Sequence, residues 1–72
     1  MNFTLRSLLV EPGRPDKQLL SLTLDLPSVN AAREAARKMS GMVPEIAVAI
    51  ESEDGTVNER WQQLTRGWKQ FQ

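Results

Sequence analysis

The chain has 72 residues, with nine basic and nine acidic side chains and neither cysteine nor histidine. A chain of this size forms one domain with a thin core, and its composition excludes disulfides and the usual zinc ligands as supports for that core. Two ways to stabilise the domain remain: unusually good packing, or association with a second copy. A homodimer is therefore one expected outcome.

The sequence indicates a cytoplasmic protein. In the opening segment the continuous apolar run is limited to Leu8, Leu9 and Val10, which is too short for the apolar region of a signal peptide. No stretch approaches the roughly 18 apolar residues that indicate a membrane span. We therefore expect no membrane partner.

The first two predicted strands lie at residues 2–10 and 18–26, joined by a loop that contains proline and glycine. In the first strand Phe3 and Leu5 alternate with polar residues, but the alternation slips at Ser7. A bulge near Ser7, or a strand end with two apolar faces, would account for the slip. The second strand is the most regular in the chain, because four alternating residues on one face are leucine: Leu20, Leu22, Leu24 and Leu26.

A helix is predicted over residues 29–40. Ser28 is a suitable N-cap, and Gly41 fits the position that ends a helix. Ala32 and Ala36 fall on one face and are small enough to let the helix lie close to a sheet. The expected core combines this face with two strands: Leu20, Leu22, Leu24, Val48, Ile50, Val29, Ala32, Ala36 and Met39.

A third strand is predicted over residues 45–52, and the segment after it has two interpretations. Residues 54–55, Asp-Gly, are a strong hairpin signal, and pairing through them places Val48 opposite Trp61. We favour this hairpin, with residues 64–72 as a tail or a short turn of helix. The alternative is a C-terminal helix, which rests on four apolar residues at helical spacing: Trp61, Leu64, Trp68 and Phe71.

These elements predict an α+β fold that occupies residues 1–72 as a single domain. One antiparallel sheet of about four strands carries one helix on one face, in the order ββαββ, and the C-terminal tail is helical in the alternative interpretation. Two strand orders, 2-1-3-4 and 1-2-4-3, keep every neighbour antiparallel, and the sequence favours neither. The outer face of the sheet, lined by small and polar side chains, is expected to face water.

Catalysis is not expected from this sequence. Without histidine and cysteine, the remaining candidates are carboxylates, hydroxyls, lysine and arginine, and no phosphate-binding loop or catalytic motif is present. Glu51, Glu53 and Asp54 form an acidic cluster whose oxygens suit Ca²⁺ or Mg²⁺. We favour a solvated turn over a metal site there, and we expect no cofactor.

Two groups of residues are candidates for binding a partner. Aromatic and basic side chains are interleaved in the tail, as they are in protein interfaces and in proteins that bind single-stranded nucleic acid. Two arginines lie one turn apart on the polar face of the helix, where they could bind phosphates or carboxylates. Trp61 is expected in the core. The candidate partner-binding residues are Trp68, Phe71, Arg66, Lys69, Arg33 and Arg37.

Three features carry a resemblance to known proteins: the hairpin that ends in Leu22-Thr23-Leu24-Asp25-Leu26, the helix from Val29 to Met39, and the turn Glu53-Asp54-Gly55-Thr56. Their arrangement resembles the small ββαββ accessory proteins of phages and mobile elements, including anti-CRISPR inhibitors. The resemblance spans most of the chain at the level of architecture and size. It implies a protein that occludes a partner's surface without catalysing a reaction.

We therefore expect a small non-catalytic protein-binding module, an inhibitor or adaptor that acts on an unidentified protein partner. The alternative is a nucleic-acid-binding accessory protein that uses the basic helix face and the aromatic and basic tail. The zero net charge disfavours this alternative, because binding to a phosphate backbone normally depends on excess positive charge.

Overall fold

The computed structural model describes residues 1–41, 43–64 and 66–71. Met42, Thr65 and Gln72 lie outside the described residues. The elements are β1 (Asn2–Leu9), β2 (Lys17–Asp25), α1 (Val29–Ser40), β3 (Ile46–Ser52), β4 (Asn58–Leu64) and β5 (Gly67–Gln70). Within the described residues the strands form one antiparallel sheet of five, with α1 against one face. The predicted α+β class is confirmed, and the sheet has one strand more than expected.

The strand order is β2-β1-β3-β4-β5, so β1 lies between β2 and β3. The connection from β2 through α1 to β3 therefore crosses over β1, which brings the helix onto the sheet. Of the two orders that the sequence left open, the structure has 2-1-3-4, with β5 added beyond β4. No helix in the described part of the chain is long and apolar enough to cross a membrane.

The helix begins and ends where its capping residues predict. The Ser28 hydroxyl oxygen accepts a hydrogen bond from the Ala31 N–H at 3.2 Å, and Gly41 has a left-handed φ of 62°. Ala32 and Ala36 are fully buried, and α1 lies over β3 with β1 and β4 at its sides. Small side chains thus let the helix approach the sheet closely, as predicted.

The core lies beneath α1 and is only partly the predicted one. Burial of Val48, Ile50, Ala32 and Ala36 is confirmed, and Val29 and Met39 pack against them partly buried. Phe3 and Leu5 complete the core. The predicted burial of the β2 leucines is wrong: Leu20 is 48% exposed and Leu22 is 40% exposed, while Leu24 is half-buried.

The width of the helix explains this correction. An α-helix with its side chains is about 10–12 Å wide, and strands lie about 4.8 Å apart, so one helix covers two or three strands. Because α1 lies over β3, β1 and β4, the edge strand β2 is left uncovered. The alternating leucines are on the predicted face, but no helix covers them within the described residues.

The slip in the β1 alternation has its counterpart in a bulge on β2. Ser7 pairs with Leu20 and Leu8 pairs with Gln18, which leaves Leu19 as the extra residue. The pairing of β1 with β3 continues without a shift. The bulge therefore lies next to Ser7, as predicted, but the extra residue belongs to β2 and not to β1. Ser7 itself is buried beside the core.

The C-terminal segment forms a hairpin followed by another strand. Val48 pairs with Trp61, as the hairpin interpretation predicts, and the Ser52 N–H donates to the Val57 carbonyl at 2.9 Å. Residues 67–70 form a strand, so neither the short turn of helix nor the alternative C-terminal helix forms there. Gly67 adopts a φ of 116°, which glycine tolerates and other residues do not, and this lets the chain reverse and pair along β4.

Leu5 and Leu22 lie opposite each other and provide a matched test of the uncovered strand. Leu5→Ala should lower the free energy of unfolding by about 2–5 kcal/mol, because it empties a buried site. Leu22→Ala should lower it by about 1 kcal/mol or less, because the side chain is 40% exposed. Urea denaturation of the monomer measures both changes, and equal losses would contradict this position of α1.

Candidate functional site

The predicted aromatic tail does not form one surface. Trp68 stacks on Trp61 with ring centroids 6.0 Å apart, and both rings pack partly buried against the core. Phe71 extends the strand pairing, with its N–H donating to the Arg60 carbonyl at 2.7 Å, and its side chain is 54% exposed. Because Gln70 lies opposite Trp61, alternation places Phe71 on the other face of the sheet. The placement of Trp61 against the core agrees with the sequence prediction.

The remaining basic residues of the tail, Arg66 and Lys69, are exposed. Arg66 lies in the turn before β5, and Lys69 lies opposite Gln62 near the edge of the sheet. Trp68 lies opposite Gln63, on the side of the sheet that carries the helix. The predicted group of four is therefore divided between two faces and a turn.

The predicted basic face of α1 is not a free cationic surface. The Arg33 guanidinium donates two hydrogen bonds to the Glu59 carboxylate, from Nε at 2.8 Å and from Nη2 at 2.5 Å. The Trp61 indole N–H donates to the same carboxylate at 2.9 Å. Arg37 is exposed and lines an open depression on the helix surface, apart from this cluster. Arg33 therefore holds the helix to β4.

Glu59 is an acid in an otherwise apolar part of the sheet. It pairs with Ile50 and is 9% exposed, so burial alone would favour its neutral form. The hydrogen bond from Arg33 outweighs this and holds the pKa of Glu59 below its usual range, with a further contribution from the Trp61 N–H. The same contact raises the pKa of Arg33. The pair thus stays charged and is satisfied within the molecule.

The outer face of the sheet is partly covered by the loop between β1 and β2. Asp16, at the end of that loop, accepts a hydrogen bond from Arg60 on β4 at 2.7 Å. Because β1 and β3 lie between β2 and β4, this ion pair spans the outer face. Ala47 on that face is fully buried. The outer face is therefore not the flat open surface that its small residues predict.

The acidic turn after β3 is organised by Asp54. Its carboxylate accepts hydrogen bonds from the Ser52 hydroxyl at 2.7 Å, the Thr56 hydroxyl at 2.8 Å and the Thr56 N–H at 3.1 Å. These bonds, led by that from Ser52, lower the pKa of Asp54 from its ordinary value of 3.8 to about 2. Among residues 1–41, 43–64 and 66–71, no group of three acidic side chains is placed to hold a metal ion. The turn uses its acid for structure.

The uncovered strand β2 is the most distinctive surface of the molecule. We call it the leucine edge: the side chains of Leu20, Leu22 and Leu24 together with the outward backbone groups of β2. Leu19 at the bulge is also 50% exposed. β2 is the first strand in the sheet order, so one side of its backbone faces away from the sheet.

The hydrogen bonds at the start of the sheet show which backbone groups of β2 point outward. Leu26 and Met1 exchange two bonds, of 2.9 Å from the Leu26 N–H and 3.2 Å from the Met1 amine. In an antiparallel pair, residues alternate between bonding the neighbour and pointing away from it. Leu24 and Leu22 therefore bond β1, and the backbone groups of the odd-numbered residues face the open edge: Ser21, Thr23 and Asp25.

Sequence reasoning missed the leucine edge because alternating leucines indicate one apolar face, whether or not anything covers it. One signal was available. A single helix of 12 residues is too narrow to cover every strand of a sheet of four or five. That comparison predicts an uncovered strand, but it does not say which strand is uncovered.

Arg33→Met tests the buried ion pair, because it leaves the Glu59 carboxylate without its guanidinium partner. It should lower the free energy of unfolding by about 2–4 kcal/mol, at the lower end for a buried pair since the Arg33 side chain is 35% exposed. The double variant Arg33→Met/Glu59→Leu should recover most of the loss, because replacing both charges by apolar groups is often neutral. Urea denaturation at neutral pH measures both, and a double variant as unstable as the single one would contradict the interpretation.

Asp54 should make stability sensitive to acid. Its folded pKa of about 2 lies below the ordinary 3.8, so its contribution is complete above about pH 5 and is lost as the pH falls towards 2. Thermal melts between these limits should show a shallower loss for Asp54→Asn than for the unchanged chain. Glu53→Gln is the control, because it removes a charge from the same turn without removing these hydrogen bonds. If Glu53→Gln lost stability with falling pH as gradually as Asp54→Asn, the acid sensitivity could not be assigned to Asp54.

No protein-family model, no curated protein and no solved structure matches this chain.

Proposed function

We propose that the chain is a small non-catalytic protein-binding module and that it binds its partner through the leucine edge. One observation carries the proposal: Leu20 and Leu22, 48% and 40% exposed, lie side by side along an open strand. Apolar side chains scattered singly over a surface are ordinary, whereas a continuous apolar stripe marks a contact surface. In a domain with so thin a core, leaving these leucines in water is costly unless a partner covers them.

The chemistry of the edge suits an extended polypeptide. The outward N–H and C=O groups of Ser21 and Thr23 can pair with the backbone of an added strand, which supplies affinity. Apolar side chains of that strand would lie beside Leu20 and Leu22 and supply specificity. Soluble proteins usually protect open strands with lysine or proline, and residues 20–25 contain neither.

Binding of this kind acts by occlusion, as an inhibitor or adaptor does. A partner segment held as an extra strand pairs one of its edges with β2, and its apolar side chains lie beside Leu20 and Leu22. No reaction is required of the module. A non-catalytic role is supported by the two acids that are most engaged in hydrogen bonds. Glu59 is held by Arg33, and Asp54 is held by the Ser52 and Thr56 hydroxyls, so both carboxylates serve the fold.

Nucleic-acid binding is the weaker alternative. Arg33 and Arg60 are engaged by Glu59 and Asp16, which removes two of the cations that a phosphate backbone would need. Arg37, Arg66 and Lys69 are exposed and would have to supply the contacts. With a net charge of zero, the non-specific attraction to phosphate would be weak.

The double variant Leu20→Lys/Leu22→Lys tests the proposal. A protein captured from the source cells by the unchanged chain would be identified, purified and titrated against the unchanged chain and the variant by calorimetry. The variant should bind at least about 100-fold more weakly, since it replaces two apolar anchors by charges. Phe71→Ala, which removes an exposed ring on another part of the surface, is the matched control and should bind normally.

Thermal melts check that the double variant remains folded, which is expected because lysine is well tolerated on open strands. Undiminished binding by the folded double variant would contradict the proposal. Loss of binding by Phe71→Ala instead would move the site to the C-terminal strand.

A further inference from the structure

We infer that the partner which the leucine edge fits is a second copy of this chain. The inference rests on the proposed function of that edge and names its occupant. It places two β2 strands antiparallel about a two-fold axis at Leu22, so that the two sheets become one continuous sheet.

The first support is the symmetry of β2 about Leu22. Antiparallel pairing at this axis puts Leu22 opposite its own copy and Leu20 opposite Leu24. On the other face it puts Ser21 opposite Thr23. The segment Leu20-Ser21-Leu22-Thr23-Leu24 thus matches apolar with apolar and hydroxyl with hydroxyl at every position. A strand built for an unrelated partner has no need of this self-complementarity.

The second support is the phase of the backbone hydrogen bonds. The outward N–H and C=O groups of β2 include those of Ser21 and Thr23, as the bonds between Leu26 and Met1 show. At the Leu22 axis, Ser21 of each copy faces Thr23 of the other, so these groups meet in hydrogen-bonded pairs. Leu22 then occupies a non-hydrogen-bonded pair, where side chains of opposite strands come closest. Both the side chains and the backbone therefore fit the same axis.

The third support is the charge at the two ends of β2. Lys17 begins the strand and Asp25 ends it. Antiparallel pairing brings the basic end of each copy towards the acidic end of the other, whereas parallel pairing would bring like charges together. Asp25 accepts a bond from the amine of Met1 at 3.0 Å and is still 81% exposed at its side chain, so a second cation can approach it.

The geometry of the pair places both helices on the same side. A two-fold axis perpendicular to the sheet keeps the face that carries α1 continuous across the junction. The leucines of both copies then adjoin one another between the two helices. The bulge at Leu19 ends the regular pairing on one side of the axis in each copy.

Disulfide trapping tests the pairing and its axis. The chain has no cysteine, so a single introduced thiol can form a disulfide only between copies. Leu22→Cys should cross-link readily under mild oxidation at about 100 µM protein, because the two residues face each other at the axis. Ser21→Cys should not form a disulfide, since its copies lie about 8 Å apart, beyond disulfide reach. A bis-maleimide with a spacer of that length should join them.

The control is Lys69→Cys, which places the thiol on the strand at the opposite edge of the sheet and should form no disulfide between copies. Sedimentation equilibrium of the unchanged chain should give twice the monomer mass at high concentration. Leu20→Lys/Leu22→Lys should give the monomer mass at the same concentration. Ser21→Cys joined by the spacer keeps the inference testable if Leu22→Cys does not fold.

The outcomes separate the two proposals. A monomer mass for the unchanged chain, with cross-linking of Leu22→Cys no faster than that of Lys69→Cys, would overturn the second copy as the occupant. If a purified protein from the source cells still bound in a Leu20- and Leu22-dependent way, the proposed function would stand with a different partner. A dimer unaffected by Leu20→Lys/Leu22→Lys would overturn the inferred interface.

Discussion

The structure depends on one geometric constraint: a single helix cannot cover a five-stranded sheet. A helix is about 10–12 Å wide, and five strands at a spacing of about 4.8 Å extend over roughly twice that width. The chain places α1 over β3 and its neighbours, where Ala32 and Ala36 allow close contact. The helix therefore leaves both edges of the sheet, at β2 and at β5, without its cover, and the two edges differ in what lies over them.

At the β4 and β5 end the chain supplies its own cover. Trp61 and Trp68 stack on each other beside the helix, and the Arg33 guanidinium lies 5.8 Å from the Trp61 ring centre. The buried acid Glu59 joins these groups, because it accepts hydrogen bonds from both Arg33 and Trp61. Trp68 and Arg33, which the sequence predicts as partner-binding residues, therefore help to cover this side of the core.

At the β2 end the chain supplies nothing comparable among the described residues, and the leucines remain exposed. That asymmetry is the basis of the functional argument. Apolar side chains and outward backbone groups occur on the same strand, and both can be satisfied by one added strand. The symmetry of the strand about Leu22 is the reason for proposing another copy of the chain as the partner.

The sequence by itself determined the local elements, because they depend on neighbouring residues. Ser28 and Gly41 bound the helix through its caps, Asp54-Gly55 sets the hairpin, and alternation assigns each leucine of β2 to its face. The candidate site was not predictable in the same way. The burial of Leu22 depends on where α1 lies. The availability of Arg33 depends on Glu59, which is 26 positions away in the chain. The conformation of residues 67–70 depends on their pairing with β4. Only the tertiary structure decides these, because each is a competition between distant groups for the same surface.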